Sequence, residues 1–292
     1  LQYDGASRID LERHRRSRVL LRIQSIQIKV GTLYYGMEYV NQIICGDCLE
    51  VIPRLPDESI MACITSPPYC EQRTGASSTG AVLYSGVSEK EYPSWTVRWM
   101  EILRPKLKPD GSVLIVIRPH LRNGVISDYV LRTRLAIRDA GWKECEELIW
   151  LKKDAPPLGS VYRPRRAWEH ILWYSKSGQP SVNLRACGNP QSKRVGFAGS
   201  VRFGVGKGSP INEGQKPCVS GTSRCTDVFE APISGIIKGV MHPAMFPLSL
   251  ADKLIQTFSV AGDVILDPFA GSCTVGVAAK NCDRNFCCIE KE

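Results

Sequence analysis

Apolar and polar positions along the chain fall into two periods. Short apolar runs at residues 40–45, 60–65, 112–117, 148–151, 170–174, 264–266 and 286–289 have the length of buried strands. Between them, residues 48–52, 92–107, 128–140, 247–258 and 274–281 predict helices. In the longest of these, Trp95, Trp99, Ile102 and Leu103 recur on one helical face. Pro67-Pro68 stops the second strand, and Pro109-Asp110-Gly111 predicts a turn ahead of residue 112. Strands alternating with helices predict an α/β fold, a mostly parallel sheet with helices on both faces.

Two stretches break this rhythm. Residues 1–36 carry a cluster, Arg13, Arg15, Arg16 and Arg18, and read as a basic N-terminal extension. Residues 178–240 hold 11 of the 25 glycines and few apolar runs. The stretch 176–240 also has nine Lys and Arg against three acids, Glu213, Asp227 and Glu230. It reads as an insertion grafted onto the scaffold. The boundaries that follow are 1–36, 37–177, 178–240 and 241–292. Residues 70–88, rich in Gly and Ser, predict a surface loop.

Net charge is +9, which suits a polyanionic partner, although a solvated basic surface would look the same in composition. No apolar run reaches the roughly 18 residues a membrane span needs. The Arg-rich start lacks the apolar block of a secretory leader. With 12 cysteines and no such leader, the chain is expected in a reducing, intracellular compartment. Cys45 and Cys48 have CxxC spacing, and Cys218 with Cys225 would complete a zinc site. No His lies near either pair, so the thiols read as unligated and no metal is expected.

Two segments carry candidate chemistry. Asp267-Pro268-Phe269-Ala270-Gly271-Ser272-Cys273-Thr274 joins a strand to a helix. Glycine at such a turn lets backbone approach a ligand closely at the carboxyl edge of the sheet. Glu290 closes the next strand 23 residues later, the spacing of a carboxylate that takes ribose hydroxyls. Without GxGxxG or a P-loop, a phosphate site is disfavoured, and a tight turn with no ligand remains open at this level.

The second segment is Thr65-Ser66-Pro67-Pro68-Tyr69. Paired prolines fix the backbone and supply carbonyls without adjacent N–H donors. A hydroxyl before them and an aromatic ring after them would accept the hydrogens of an amino group on a planar base and stack on its face. A rigid strand-ending turn is the plainer alternative.

Taken together, these residues resemble the DNA amino-methyltransferases. Ser66-Pro67-Pro68-Tyr69 looks like their catalytic tetrapeptide, and residues 267–272 like their cofactor loop. The tetrapeptide first and the loop last resemble the β-class order, with target recognition between. Gly46-Asp47-Cys48-Leu49, residues 242–247, Trp150-Leu151-Lys152-Lys153 and Glu169-His170 resemble further family segments. The likeness covers about residues 38–292. Two positions depart from it. Cys273 stands where a second glycine is usual, and the chain stops at Glu292 where a helix normally follows, so a further helix or domain is expected there.

The resemblance implies a Rossmann-like methyltransferase fold with a mostly parallel seven-stranded sheet and an inserted target-recognition region. It implies S-adenosyl-L-methionine held by Asp47, Thr65, His242, Phe246, Pro247, Asp267, Phe269, Ala270, Gly271, Ser272, Thr274 and Glu290. Ser66, Pro67, Pro68 and Tyr69 would act on a base flipped from double-stranded DNA, with Arg73, Lys193, Arg194, Arg202 and Lys207 on the DNA. Ser at the first tetrapeptide position goes mostly with cytosine N4, and Asp with adenine N6. Site-specific DNA methylation of the restriction–modification type is the implied role, in a nucleoid or a nucleus according to host, with a homodimer compatible. A carbon-5 methyltransferase would need a Pro-Cys nucleophile, and Pro217-Cys218 lies far from any strand end. A protein-glutamine methyltransferase has the cofactor loop earlier. An inactive DNA-binding module on the same scaffold is the non-enzymatic rival.

Overall fold

The computed structural model describes residues 39–70, 86–122, 124–155, 162–188, 224–233 and 247–291. Ten strands and five helices follow in chain order. They are β1 (Gln42–Cys45), α1 (Cys48–Val51), β2 (Ile60–Thr65), α2 (Tyr92–Leu103), β3 (Leu107–Ile117), β4 (Leu121–Arg122), β5 (Val125–Ile126) and α3 (Tyr129–Asp139). Then come β6 (Lys143–Lys152), β7 (Trp168–Ser175), β8 (Val228–Ala231), α4 (Leu248–Phe258), β9 (Val264–Asp267), α5 (Thr274–Asn281) and β10 (Asn285–Glu290).

The main sheet runs β1-β10-β9-β2-β3-β7-β6-β8, and β4 pairs with β5 in a separate hairpin. Only β7 lies antiparallel to its neighbours, so five of the seven pairings are parallel. One face carries α1, α2 and α3 over Val113, Ile115 and Leu172. The other carries α4 and α5 over Ile64, Leu114 and Ile265. The Rossmann-like layering expected from the residues is present.

The sheet has eight strands where the resemblance implied seven. The extra strand is β8, inside the stretch read as an insertion. Its pairing with β6 is parallel, and Trp150 Nε1 donates to the Ala231 carbonyl at 3.0 Å. Val-Phe-Glu-Ala alternates inward and outward positions but is too short a run to stand as a strand alone, so pairing at the sheet edge makes it one. Residues 181–186 also lie against the body, through Ser181 N–H to Asp110 and Asn183 N–H to Thr257.

Two further expectations are corrected. The second predicted helix ends at Leu103 instead of 107, because Pro105 has no N–H to carry the helical ladder past Arg104. The predicted 109–111 turn lies within β3, where the register slips from Ile60–Leu107 to Ala62–Ser112. Gly111 suits that irregularity, since a Cβ there would meet Leu107 Cγ at 2.8 Å and the Met61 carbonyl at 2.9 Å.

Candidate active site

The central pair β2 and β9 sets the site. Both are fully or nearly fully buried parallel strands, and both end at the same sheet edge. Pro67 and Pro68 cannot continue a ladder, so the chain leaves the sheet there and presents residues 66–69 at the edge. At the two strand ends, Thr65 Oγ1 donates to Asp267 Oδ1 at 2.7 Å, and Phe269 N–H reaches the same oxygen at 3.2 Å. Burial lifts the Asp267 carboxyl to about 7, partly offset by these two donors. Its charge therefore changes near neutral pH.

The loop after β9 turns through left-handed backbone at Gly271 (φ 48°) and Cys273 (φ 58°). Cys273 keeps the conformation that glycine adopts freely, which explains why glycine is usual there; a side chain pays about 1 kcal/mol for it. Ala270 N–H bonds the Ile289 carbonyl at 2.9 Å, and Gly271 N–H donates to the Glu290 carboxylate. The loop is thus tied to β10. Ser272 and Thr274 hydroxyls pair at 3.1 Å at the start of α5. Phe269 packs against Trp95 and Trp99 of α2, centroids 5.4 and 5.6 Å away.

Along the same edge, Asp47 caps α1 by accepting Leu49 N–H at 2.9 Å and faces Lys291 Nζ at 3.3 Å. Three carboxylates, Asp47, Glu290 and Asp267, close three successive strands β1, β10 and β9. Pro247 opens α4, which returns to β9 through a short link, so its start also lies at the carboxyl edge. His242 and Phe246 lie outside the described residues. A tight left-handed turn with acids on neighbouring strand ends fits a ligand that carries both an adenosine and cationic groups.

On the other side of Thr65, Ser66 is half-buried. Tyr92 Oη donates to the Pro68 carbonyl at 3.1 Å, which fixes the second proline from α2. Tyr69 Oη donates to Glu169 Oε2 at 3.1 Å. Burial and that carboxylate push the phenol well above its ordinary range, so it stays a donor. Glu169, only 6% exposed, is balanced by Lys152 and by Arg118 Nη1 at 3.8 Å. Sequence reading saw Lys152 and Glu169 only as strand residues. The available signal was an acid, Glu169, at the head of the apolar run Ile171–Tyr174 in β7, and charges are rarely buried unless paired.

Beside the tetrapeptide, His120 Nδ1 lies 3.8 Å from Cys70 Sγ, and its Nε2 contacts Glu89 Oε1. This is the one grouping with metal-ligand chemistry among the described residues, its donors within 4.8 Å of one another. The two ring nitrogens face different partners, an arrangement of a hydrogen-bonded bridge; one cation cannot take both. Cys45, Cys48 and Cys225 join no such grouping among the described residues, where no cysteine is in a disulfide. Arg73, Lys193, Arg194, Arg202 and Lys207 lie outside the described residues.

Comparison with known proteins bears on this geometry. Type II methyltransferase M.PvuII of Proteus hauseri is 25% identical over 84% of this chain and 78% of its own length. Type II methyltransferase M.HinfI of Haemophilus influenzae is 28% identical over 87% of this chain and 66% of its own length. Among solved structures, the PvuII DNA methyltransferase (cytosine-N4-specific) superposes with a TM-score of 0.64 at 23% identity, covering 86% of this chain and 81% of that one. The M1.HpyAVI complex with S-adenosylmethionine does so at 0.54 and 21%, covering 86% and 93%. These structures share the fold, and the use of S-adenosyl-L-methionine goes with the family. The N6/N4 DNA methylase profile matches residues 60–292, which include both the Ser66 tetrapeptide and the Asp267 loop, and the chain belongs to that family of DNA methyltransferases.

Proposed function

We propose that this chain methylates the exocyclic N4 of cytosine in double-stranded DNA by direct transfer to a flipped base. The observation that carries the reading is the meeting of residues 66–69 with the Asp267 loop, joined by the bond from Thr65 to Asp267. The two segments are 202 positions apart in sequence and adjoin at one sheet edge.

Bound S-adenosyl-L-methionine would supply an electrophilic methyl group, and Asp47, Asp267, Phe269–Ser272 and Glu290 would hold it. What this chain must add is alignment of the amino nitrogen, about 3–3.5 Å from the methyl carbon, with its lone pair available. Ser66 Oγ and the Pro67 carbonyl accept the two amino hydrogens and draw the nitrogen toward tetrahedral geometry. Pro67 is the better carbonyl, because Pro68 already accepts the Tyr92 hydroxyl. Tyr69 stacks on the base, its ring held through the phenol by Glu169. Transfer would break the methyl–sulfur bond and leave S-adenosyl-L-homocysteine, and the proton on the methylated nitrogen would pass to water, eased by the same acceptors.

Ser66 favours cytosine over adenine, in line with the cytosine-N4-specific PvuII enzyme of like fold. Incubation of DNA with the protein and S-adenosyl-L-methionine, followed by mass spectrometry of the nucleosides, tests this. N4-methylcytosine is the expected product. N6-methyladenine would move the base and keep the mechanism. Cofactor binding without any modified base would favour a DNA-binding module on a methyltransferase scaffold.

A further inference from the structure

A basic strip that belongs to neither motif lies on the described surface. Residues 162–168 read Tyr-Arg-Pro-Arg-Arg-Ala-Trp, three arginines and two aromatics without an acid. Because β7 runs antiparallel to β3, its first residue, Trp168, lies at the edge where β2 and β9 end. The strip therefore enters the sheet at the rim of the candidate active site. Tyr162 is 93% exposed and Trp168 45%.

How the arginines are held separates them from their neighbours. Arg165 Nη1 donates to the Ala155 carbonyl at 3.0 Å, Arg163 donates to Gly124 and Arg166 to Pro119. Carbonyls orient a guanidinium without neutralising it, and each fork keeps further donors. Arg118 and Lys152 are instead balanced by Glu169. Among the described residues, Arg163, Arg165 and Arg166 form no ion pair with a carboxylate. Trp168 packs against His170 as a T-shaped pair, centroids 4.7 Å apart at 79°, which restrains the indole.

We propose that residues 162–168 form a DNA-binding strip beside the target nucleotide, with Arg163 and Arg165 on backbone phosphates and Trp168 stacked on a base exposed by flipping. Oriented guanidiniums suit phosphodiester oxygens, and a restrained indole suits a base left without its neighbour. This inference rests on the proposed function for its partner.

The test is fluorescence anisotropy of labelled duplex DNA with the full chain over a range of salt concentrations. Variants are Arg163→Gln/Arg165→Gln and Trp168→Ala, with S-adenosyl-L-methionine affinity measured on each as a check of the fold. The arginine pair variant should weaken DNA binding at least tenfold at low salt and reduce the slope of log K against log salt by about two. Trp168→Ala should weaken binding about tenfold with the slope unchanged. Cofactor affinity should stay constant in both. Wild-type affinity and slope in the arginine variant would overturn the strip while leaving methylation by the wild-type chain untouched. Wild-type protein that binds DNA without methylating it would instead overturn the proposed function and leave the strip to stand on binding. No DNA binding by the wild-type chain would overturn both.

Discussion

Thr65 and Asp267 meet in a buried hydrogen bond of 2.7 Å at the ends of the two central strands. Thr65 opens the reactive segment and Asp267 opens the cofactor loop, so one hydroxyl couples the two halves of the site. A Thr65→Val variant keeps the volume and leaves Asp267 Oδ1 with the Phe269 N–H as its remaining donor, at a cost of about 1 kcal/mol. It should bind S-adenosyl-L-methionine more weakly in calorimetry, with the sheet intact by circular dichroism. Unaltered cofactor affinity would show that the bond is structural only.

Asp267 also gives a pH dependence with a definite sign. Its carboxyl is raised by burial to about 7 in the folded chain, against about 4 when unfolded. The folded state therefore holds the extra proton, and this contribution is fully present below about pH 4 and lost as pH rises to about 7. Ligand-free protein should lose melting temperature from this source over that window. Affinity for the cationic cofactor should move the opposite way and rise through pH 7 as the carboxylate forms. In Asp267→Asn both trends should vanish.

Ser66 separates chemistry from cofactor binding. Ser66→Ala removes an acceptor for the amino group and touches neither Asp267 nor Glu290. Turnover should fall by about a hundredfold, the scale of losing one positioned polar group. Cofactor affinity should be unchanged. Full activity in this variant would sink the role given to Ser66.

Glu169 reaches the site through Tyr69. Tyr69→Phe and Glu169→Gln both weaken the same bond of 3.1 Å, so their effects on KM for DNA should be non-additive in a double-mutant cycle. Each single change should raise KM several-fold, on the order of the 0.5–1.5 kcal/mol of one hydrogen bond. Because Glu169→Gln also leaves Lys152 without its carboxylate, Lys152→Met/Glu169→Gln serves as a stability control. Multiplicative effects of the Tyr69 and Glu169 changes would refute the coupling.

The helix after the cofactor loop has one tight position. A Cβ at Gly276 would meet Cys273 Sγ at 2.6 Å, Cys288 Sγ at 3.0 Å and Phe286 Cδ2 at 3.1 Å. Gly276→Ala should destabilise the chain by about 1–3 kcal/mol in urea unfolding. Cys273→Gly removes the nearest obstacle and relieves the left-handed backbone, so the double variant should recover part of that loss.

The sequence by itself determined the element types, the two motifs and the chemistry they imply. Ile60–Thr65 and Thr274–Asn281 were legible to the residue, because an apolar run closed by Pro-Pro and a helix opened by a Gly-containing turn are local signals. The same local character made the Ser66 tetrapeptide and the Asp267 loop recognisable. Tertiary structure alone decided what depends on strand order. Period and propensity say nothing about which strand lies beside which, so the adjacency of β2 and β9 could not be read from the chain. The bonds from Thr65 to Asp267 and from Tyr69 to Glu169 span 202 and 100 positions and exist only through that order. The same reason explains β8, a four-residue run that becomes a strand by pairing with β6, and the placement of Trp168 at the site's rim, which follows from β7 being antiparallel. Local chemistry is written in neighbouring residues, whereas the contacts that assemble a site form between strands brought together by burial of a shared core.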